Sequence, residues 1–255
     1  LEWMFMQSAA RANVPPEDVS IYAASGEQAN MASGRLAFVL NLHGPTMSLN
    51  TACSSTLVAS HIGARFLRTG ECSNVLAAGT KALLLPFLLQ GLYAADGRCK
   101  SFDARANGYC RSEAVGAAFF GMDDAMITLS GSAIHAGGRS ASLTAPNGLA
   151  MSMSIESALS QAAVEPDELG CTQAQGLGSA LADPIEISAL NSVMSMAAAG
   201  SRLAIGCHKP NVGHSEAASG MLGIATAQQM LLKSSVTASA QLRTVNPLVV
   251  LSMTQ

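Results

Sequence analysis

The stretch TMSLNTACSSTLVASHIGARFLRT, residues 46–69, decides the reading of this chain. Residues 46–52 alternate enough to be a short strand. Residues 54–69 then place Leu57, Ile62 and Phe66 on one helical face, with Val58 and Leu67 beside it. Gly70 is a reasonable stop. Cys53 therefore falls where a strand ends and a long helix begins. Unpaired N–H groups and partial positive charge at a helix N-terminus favour a thiolate, the reactive form of cysteine. That geometry suits a thiol that must attack a thioester. The plainer reading is a small buried cysteine packed at a turn.

Outward from this joint, strand and helix patterns alternate. Helical stretches are expected over 1–12, 27–40, 148–163 and 216–233, and strands over 74–79, 115–121, 127–135, 171–175 and 203–207. Asp183-Pro184 reads as an N-cap aspartate followed by proline at the first helical position. Residues 95–111 read as a loop. The alternation argues for layered α/β architecture. No Pro- or Ser-rich linker divides the chain, so 1–255 reads as one domain.

Composition narrows the function. Apolar residues make up 49% of the 255 and charged residues 12%, which allows a sizeable core and sets the chain apart from disordered sequences. The low charge suggests that much of the surface meets another subunit or domain. A formal net charge of -3 with no basic run makes nucleic acid an unsuitable partner. The greasy stretch 82–92 contains Pro86 and is too short to span a bilayer. The six cysteines form no CxxC pair and stand at no zinc-ligand spacing with histidine, so neither metal nor disulfide scaffold is expected, and a reducing compartment is. The chain opens at Leu1 inside what reads as a helix, as a fragment or a piece of a longer polypeptide would.

Two further constellations carry chemistry. In Lys209-Pro210-Asn211-Val212-Gly213-His214-Ser215-Glu216, a histidine on a glycine turn leads into a helix. A helix start disfavours added positive charge and tends to keep the imidazole neutral, so His214 could donate a hydrogen bond to a substrate carbonyl. Lys209 could orient Glu216 or the histidine. The plainer reading makes His214 a cap residue and Lys209 a surface charge. In Gln175-Gly176-Leu177-Gly178-Ser179, followed by Asp183-Pro184-Ile185-Glu186, two glycines let the backbone approach a ligand or another chain. The spacing is not GxGxxG, so a dinucleotide site gets little support.

Taken in order, TACSS, DGRCKSFD, GYCRSE, LTAPNG, DPIE and KPNVGHSEAASG resemble the β-ketoacyl synthase family, above all the ketosynthase domains of type I polyketide synthases and related fatty acid synthases. The resemblance implies a thiolase-like layered α/β fold, usually as a homodimer. It implies that Cys53 takes an acyl chain from the phosphopantetheine arm of an acyl carrier protein, with no cofactor bound directly. Two histidines then assist decarboxylation of a malonyl thioester, whose carbanion attacks the acyl-cysteine. Carried over by position, the second histidine falls on His214, the supporting lysine on Lys209 and the nearby acid on Glu216. The cytoplasm or a plastid would suit this chemistry.

The sequence departs from the family pattern. The first histidine of the HGTGT block is Gln175 here. The glycine-rich block expected after Asn246-Pro247 is absent, and with it the backbone N–H that completes the family's oxyanion hole. An N-terminal strand and a Gly-Val-Phe-Val-Gly-like strand between Val19 and Ile21 are missing too, so the fold is expected to be truncated at both ends and to lack some family strands. Three readings follow: a condensing synthase, a non-elongating acyl transferase, and a non-catalytic ketosynthase-like partner.

Overall fold

The computed structural model describes residues 22–84, 92–123, 125–195 and 202–253. The helix expected over 1–12 and the Val19–Ile21 position lie outside them. Helix α2 (Asn30–Val39) stands where a helix over 27–40 is expected, and a short α1 (Ala23–Glu27) precedes it. A 3-10 turn, Ala52–Ser54, then runs into α3 (Ser55–Arg68). Strands β1 (Asn74–Lys81) and β2 (Ala114–Gly121) pair antiparallel from Asn74 opposite Gly121 to Lys81 opposite Ala114. Helix α4 (Gly148–Ala162) is capped by the Asn147 side chain, which accepts the N–H of Ala150. It precedes β3 (Cys171–Gln173), α5 (Ala182–Met194) and β4 (Ala204–Gly206). The chain closes with α6 (Lys209–Val212), a 3-10 turn Glu216–Ala218, α7 (Ser219–Lys233) and α8 (Pro247–Met253).

The two faces of the β1–β2 hairpin differ as period-2 side chains must. Val75, Ala77 and Gly79 with Phe120, Ala118 and Gly116 turn inward. Gly79 lies so close to α3 that a Cβ there would stand 2.0 Å from Thr56 Cγ2. The outer face pairs Leu76 with Phe119, Ala78 with Ala117 and Thr80 with Val115, and it is bare. Strands β3 and β4 pair in parallel, Cys171 with Ala204 and Gln173 with Gly206. Beside them Phe102, Ala174, Ile187, Leu190, Cys207 and Val249 form a buried apolar cluster.

Two expected strands are not strands. Residues 46–52 form no ladder among the described residues. Residues 127–135 form none either among the described residues, and side chains meet part of their backbone. Arg68 Nη2 donates to the carbonyls of Leu129 and Ser130, and Gln161 Oε1 accepts the N–H of Ser132. Asp183 is not an N-cap: α5 begins a residue earlier, with Leu181 at its cap. Its carboxylate accepts the N–H groups of Gly178 and Ser179, just before α5, and of the distant Phe102.

Candidate active site

Cys53 sits in the 3-10 turn Ala52–Ser54, at an elbow made by Ala52, whose φ of 53° is left-handed. The turn hands over to α3 through Ser55, whose hydroxyl accepts the N–H of Thr51. Cys53 Sγ lies 3.0 Å from Nε2 of His214, which arrives from the far end of the chain. The backbone of His214 is clamped by the 110–112 segment: its N–H donates to Cys110 O at 2.7 Å, and its carbonyl accepts the N–H of Ser112 at 3.0 Å. The Tyr109 ring packs edge-on against the imidazole, centroids 4.8 Å apart.

Burial, reinforced by the charge of Lys209 and by His208, pushes the His214 pKa down to about 3. The imidazole is therefore neutral, as expected, but not because of a helix start: α7 begins only at Ser219. Nδ1 of His214 is buried without a hydrogen-bond partner among the described residues. A proton on Nε2 lets the ring donate to Sγ and spares the interior an orphaned N–H at Nδ1.

The expectation that a helix start lowers the Cys53 pKa is not met. Burial pushes the thiol up, and the main opposing influence is the positive charge of Lys209. The intervening 3-10 turn sets Cys53 before α3 rather than in its first turn, and a backbone N–H at Cys53 itself also favours the thiolate.

Lys209 is no surface charge, being 1% exposed. Nor does it orient Glu216. Its Nζ donates to the main-chain oxygen of Gln175 at 2.6 Å and to Oε1 of the same residue at 3.0 Å. Glu216 instead pairs with Lys81 Nζ at 2.7 Å, with Arg111 Nε at 3.6 Å and the Tyr109 hydroxyl at 3.4 Å beside it. Gly213, with a left-handed φ of 80°, ends α6 between the two residues, whose side chains go to different partners.

Gln175 is exposed two residues past the end of β3, and its side chain is among the groups that favour the Cys53 thiolate. Two carboxylates hold its loop: Glu186, given no role by the sequence, and Asp183, expected there only as a helix cap. Glu186 accepts the N–H groups of Gln175 and Gly176. Asp183 accepts those of Phe102, Gly178 and Ser179. Burial raises both acids' pKa values, and these N–H groups pull them back. The i, i+3 spacing in Asp-Pro-Ile-Glu, which puts both carboxylates on one helix face, is the signal that could have found them. Among the described residues no cluster of three or more His, Cys, Asp or Glu is arranged to hold a metal ion.

The geometry thus gathers Cys53, His214, Lys209 and Gln175, with Glu216 bordering Tyr109 and Arg111. The family model described as the beta-ketoacyl synthase N-terminal domain matches residues 3–121, and the one described as the C-terminal domain matches residues 126–243. A phenolphthiocerol/phthiocerol polyketide synthase of Mycobacterium tuberculosis is 38% identical over 222 residues, 82% of this chain and 10% of that protein. Polyketide synthase GfsB of Streptomyces halstedii is 40% identical over 230 residues, 85% of this chain and 4% of that protein. Among solved structures, the oxazolomycin ketosynthase domain OzmH KS7 of Streptomyces albus JA3453 superposes with a TM-score of 0.83 at 28% identity, covering 88% of this chain and 42% of that one. The ketosynthase from module 6 of the bacillaene synthase of Bacillus subtilis 168 gives 0.84 at 27% identity with the same coverage. The chain spans a tenth or less of these two curated relatives and under half of these solved domains. Its layered α/β architecture is the thiolase-like one, and the chain belongs to the β-ketoacyl synthase family, alongside the ketosynthase domains of type I polyketide synthases.

Proposed function

We propose that this chain acts as one ketosynthase domain in polyketide assembly, with Cys53 as the acyl acceptor. The thiolate attacks the thioester carbonyl of an acyl chain delivered on the phosphopantetheine arm of an acyl carrier protein. The new Cys53 thioester forms as the pantetheine thiol leaves. The observation that carries this reading is the 3.0 Å approach of His214 Nε2 to Cys53 Sγ, with the buried Lys209 charge favouring the thiolate. In the full reaction a malonyl thioester loses carbon dioxide, and its carbanion attacks the acyl-Cys53 carbonyl. His214 then donates to the oxygen that gathers negative charge.

A second reading, transfer without extension, is favoured by one observation. The position expected to hold the other histidine carries Gln175, an amide that cannot titrate. On that reading Cys53 loads and passes on acyl chains, and condensation is slow. A homodimer is supported by the bare apolar face of Leu76, Phe119 and Val115, of which Val115 is 85% exposed. A role in fatty acid rather than polyketide assembly finds less support, since the matched relatives are polyketide synthases. No helix among the described residues is long and apolar enough to cross a membrane.

The test is peptide mapping after incubation with an acyl-pantetheine thioester. An acyl adduct on the Cys53 peptide, absent from Cys53→Ala, supports the reading. A folded protein that takes no adduct there would leave the non-catalytic partner as the remaining account.

A further inference from the structure

The imidazole of His214 has one nitrogen in use and one idle. Nε2 meets Cys53 Sγ at 3.0 Å, and Nδ1 is buried with no hydrogen-bond partner among the described residues. A histidine bonded at both nitrogens cannot turn about its Cβ–Cγ bond without losing a second hydrogen bond. His214 has no such second restraint, and terminal torsions of this kind are broad and roughly two-fold. A half-turn would put Cε1 where Nε2 stands and leave the sulfur facing a carbon. The main-chain bonds to Cys110 O and from Ser112 N fix where the side chain starts, not how the ring is turned.

Tyr109 supplies the missing restraint. Its ring stands edge-on to the imidazole, centroids 4.8 Å apart and planes at 72°, so a turning imidazole would sweep into it. The tyrosine is itself held. Its N–H donates to Leu92 O at 3.3 Å, and its carbonyl accepts the N–H of Ala94 at 2.9 Å. Gly108 permits that approach, since a Cβ there would stand 2.6 Å from Leu92 O. The Tyr93 ring meets that of Tyr109 edge-on at 5.1 Å. The Tyr109 hydroxyl donates to Glu216 Oε1 at 3.4 Å, and Lys81 anchors Glu216 at 2.7 Å. Glu216 lies two residues past His214, with a left-handed φ of 42°, a strained conformation that persists only where the surroundings fix it.

We propose that Tyr109 is the positioning residue of His214: its ring, tethered to Glu216, keeps the imidazole from turning and so keeps Nε2 aimed at Cys53 Sγ. The proposal rests on reading His214 as a working group of the site around Cys53. It makes Glu216 neither acid nor base in the chemistry. The carboxylate holds the tyrosine, and the tyrosine holds the histidine.

Nitrogen-15 spectra of histidine-labelled protein show which ring nitrogen carries the proton, and they need no acyl donor. Wild type is compared with Tyr109→Phe and Tyr109→Leu, each checked for fold by circular dichroism and melting, with the His214 signal assigned from His214→Asn. Burial holds the His214 pKa down at about 3, so wild type at pH 7 should show one neutral form, protonated on Nε2. Tyr109→Leu removes the ring, and a second neutral form protonated on Nδ1 should appear. Acetylation of Cys53 by acetyl-pantetheine should then slow by about tenfold at saturation, with the half-saturating concentration changed by less than about twofold, because alignment is lost and binding is not. Tyr109→Phe keeps the ring and cuts only the tether. Its saturating rate should fall by about threefold, and the second form should appear in smaller amount. If Tyr109→Leu fails to fold, Tyr109→Phe alone decides. A His214 signal and a saturating rate unchanged in a folded variant would overturn the proposal, and so would a slowed rate with the Nε2 form left intact. Failure of the functional reading looks different: wild-type Cys53 takes no acetyl group, while the His214 signal still responds to Tyr109.

Discussion

Cys53 Sγ and His214 Nε2 lie 3.0 Å apart although 161 residues separate them in the chain. Two glycines make that approach possible. Gly79 lets β1 press on Thr56 in the first turn of α3, and Gly220 lets α7 press on the same threonine, whose hydroxyl accepts the N–H of Met221 at 3.0 Å. A Cβ on Gly220 would stand 2.6 Å from Thr56 Oγ1 and 2.7 Å from Leu57 Cγ. Three residues upstream of Thr56 is the proposed nucleophile, so the packing of two helices and the placement of one sulfur are a single problem.

Gly220→Ala should therefore cost about 1–3 kcal/mol of stability, because overpacking forces α3 and α7 apart. It should also slow acylation of Cys53 by roughly tenfold, since a displaced nucleophile loses its aligned approach. Thermal melts and the acylation rate check both. A variant as stable as wild type would show that the helices have room the geometry does not reveal.

Acid should unfold this protein through its histidines. An unfolded chain protonates histidine near pH 6.5, whereas burial holds His208 neutral to about 4 and His214 to about 3. Between these values the unfolded state binds more protons, so stability is fully present above pH 6.5 and falls as pH drops. Each group contributes about 1.4 kcal/mol per pH unit well below 6.5. Asp183 and Glu186, whose pKa values are raised, soften the loss near the acid end. Neither ring nitrogen of His208 has a hydrogen-bond partner among the described residues, so His208→Leu removes one titrating group without orphaning another. Urea unfolding at pH 7 and pH 5 should show the variant losing about half as much stability as wild type. Equal losses would mean that His208 is already protonated in the fold.

The Asp183 carboxylate holds three backbone N–H groups, from Phe102, Gly178 and Ser179. Phe102 has a left-handed φ of 62°, a strained conformation that this grip and the bond from Asn246 N to its carbonyl help to hold. Asp183→Asn turns an all-acceptor group into a mixed one and should lower stability by about 2 kcal/mol. Denaturant melts measure it. A variant within about 0.5 kcal/mol of wild type, the size of an ordinary surface change, would place the hold on Phe102 elsewhere.

How much of this was legible in the sequence depended on whether a residue's partner was local. Helices α4 and α7 and strands β1 and β2 follow from periodicity and turn residues near at hand. Residues 127–135 alternate convincingly, yet alternation does not say whether a ladder partner exists, and among the described residues Arg68 and Gln161 meet part of this backbone instead. Cys53 and His214 were legible because their chemistry travels with short motifs. The partner of Lys209 was not: a lysine seven residues before a glutamate suggests an ion pair, whereas its ammonium meets Gln175, 34 residues away in the chain. Glu186 was missed because a carboxylate that holds backbone N–H groups leaves no mark in the identity of the residues it holds.

The account turns on what Gln175 does to the second half of the reaction, and one comparison tests it most directly. Acylation of Cys53 and condensation with a malonyl thioester are timed separately, on the full-length protein, in wild type and in Gln175→His. Negative charge gathers on the malonyl thioester oxygen during decarboxylation, and His214 with an amide is a weaker pair of donors there than two imidazoles. A positioned proton-transfer group is typically worth about 10²–10⁴ in rate. The account predicts that wild type loads Cys53 readily and condenses slowly, and that the histidine variant raises the ratio of condensation to acylation by about a hundredfold. A wild-type protein that condenses as fast as the variant would contradict it, and would show the amide held by Lys209 to be no handicap.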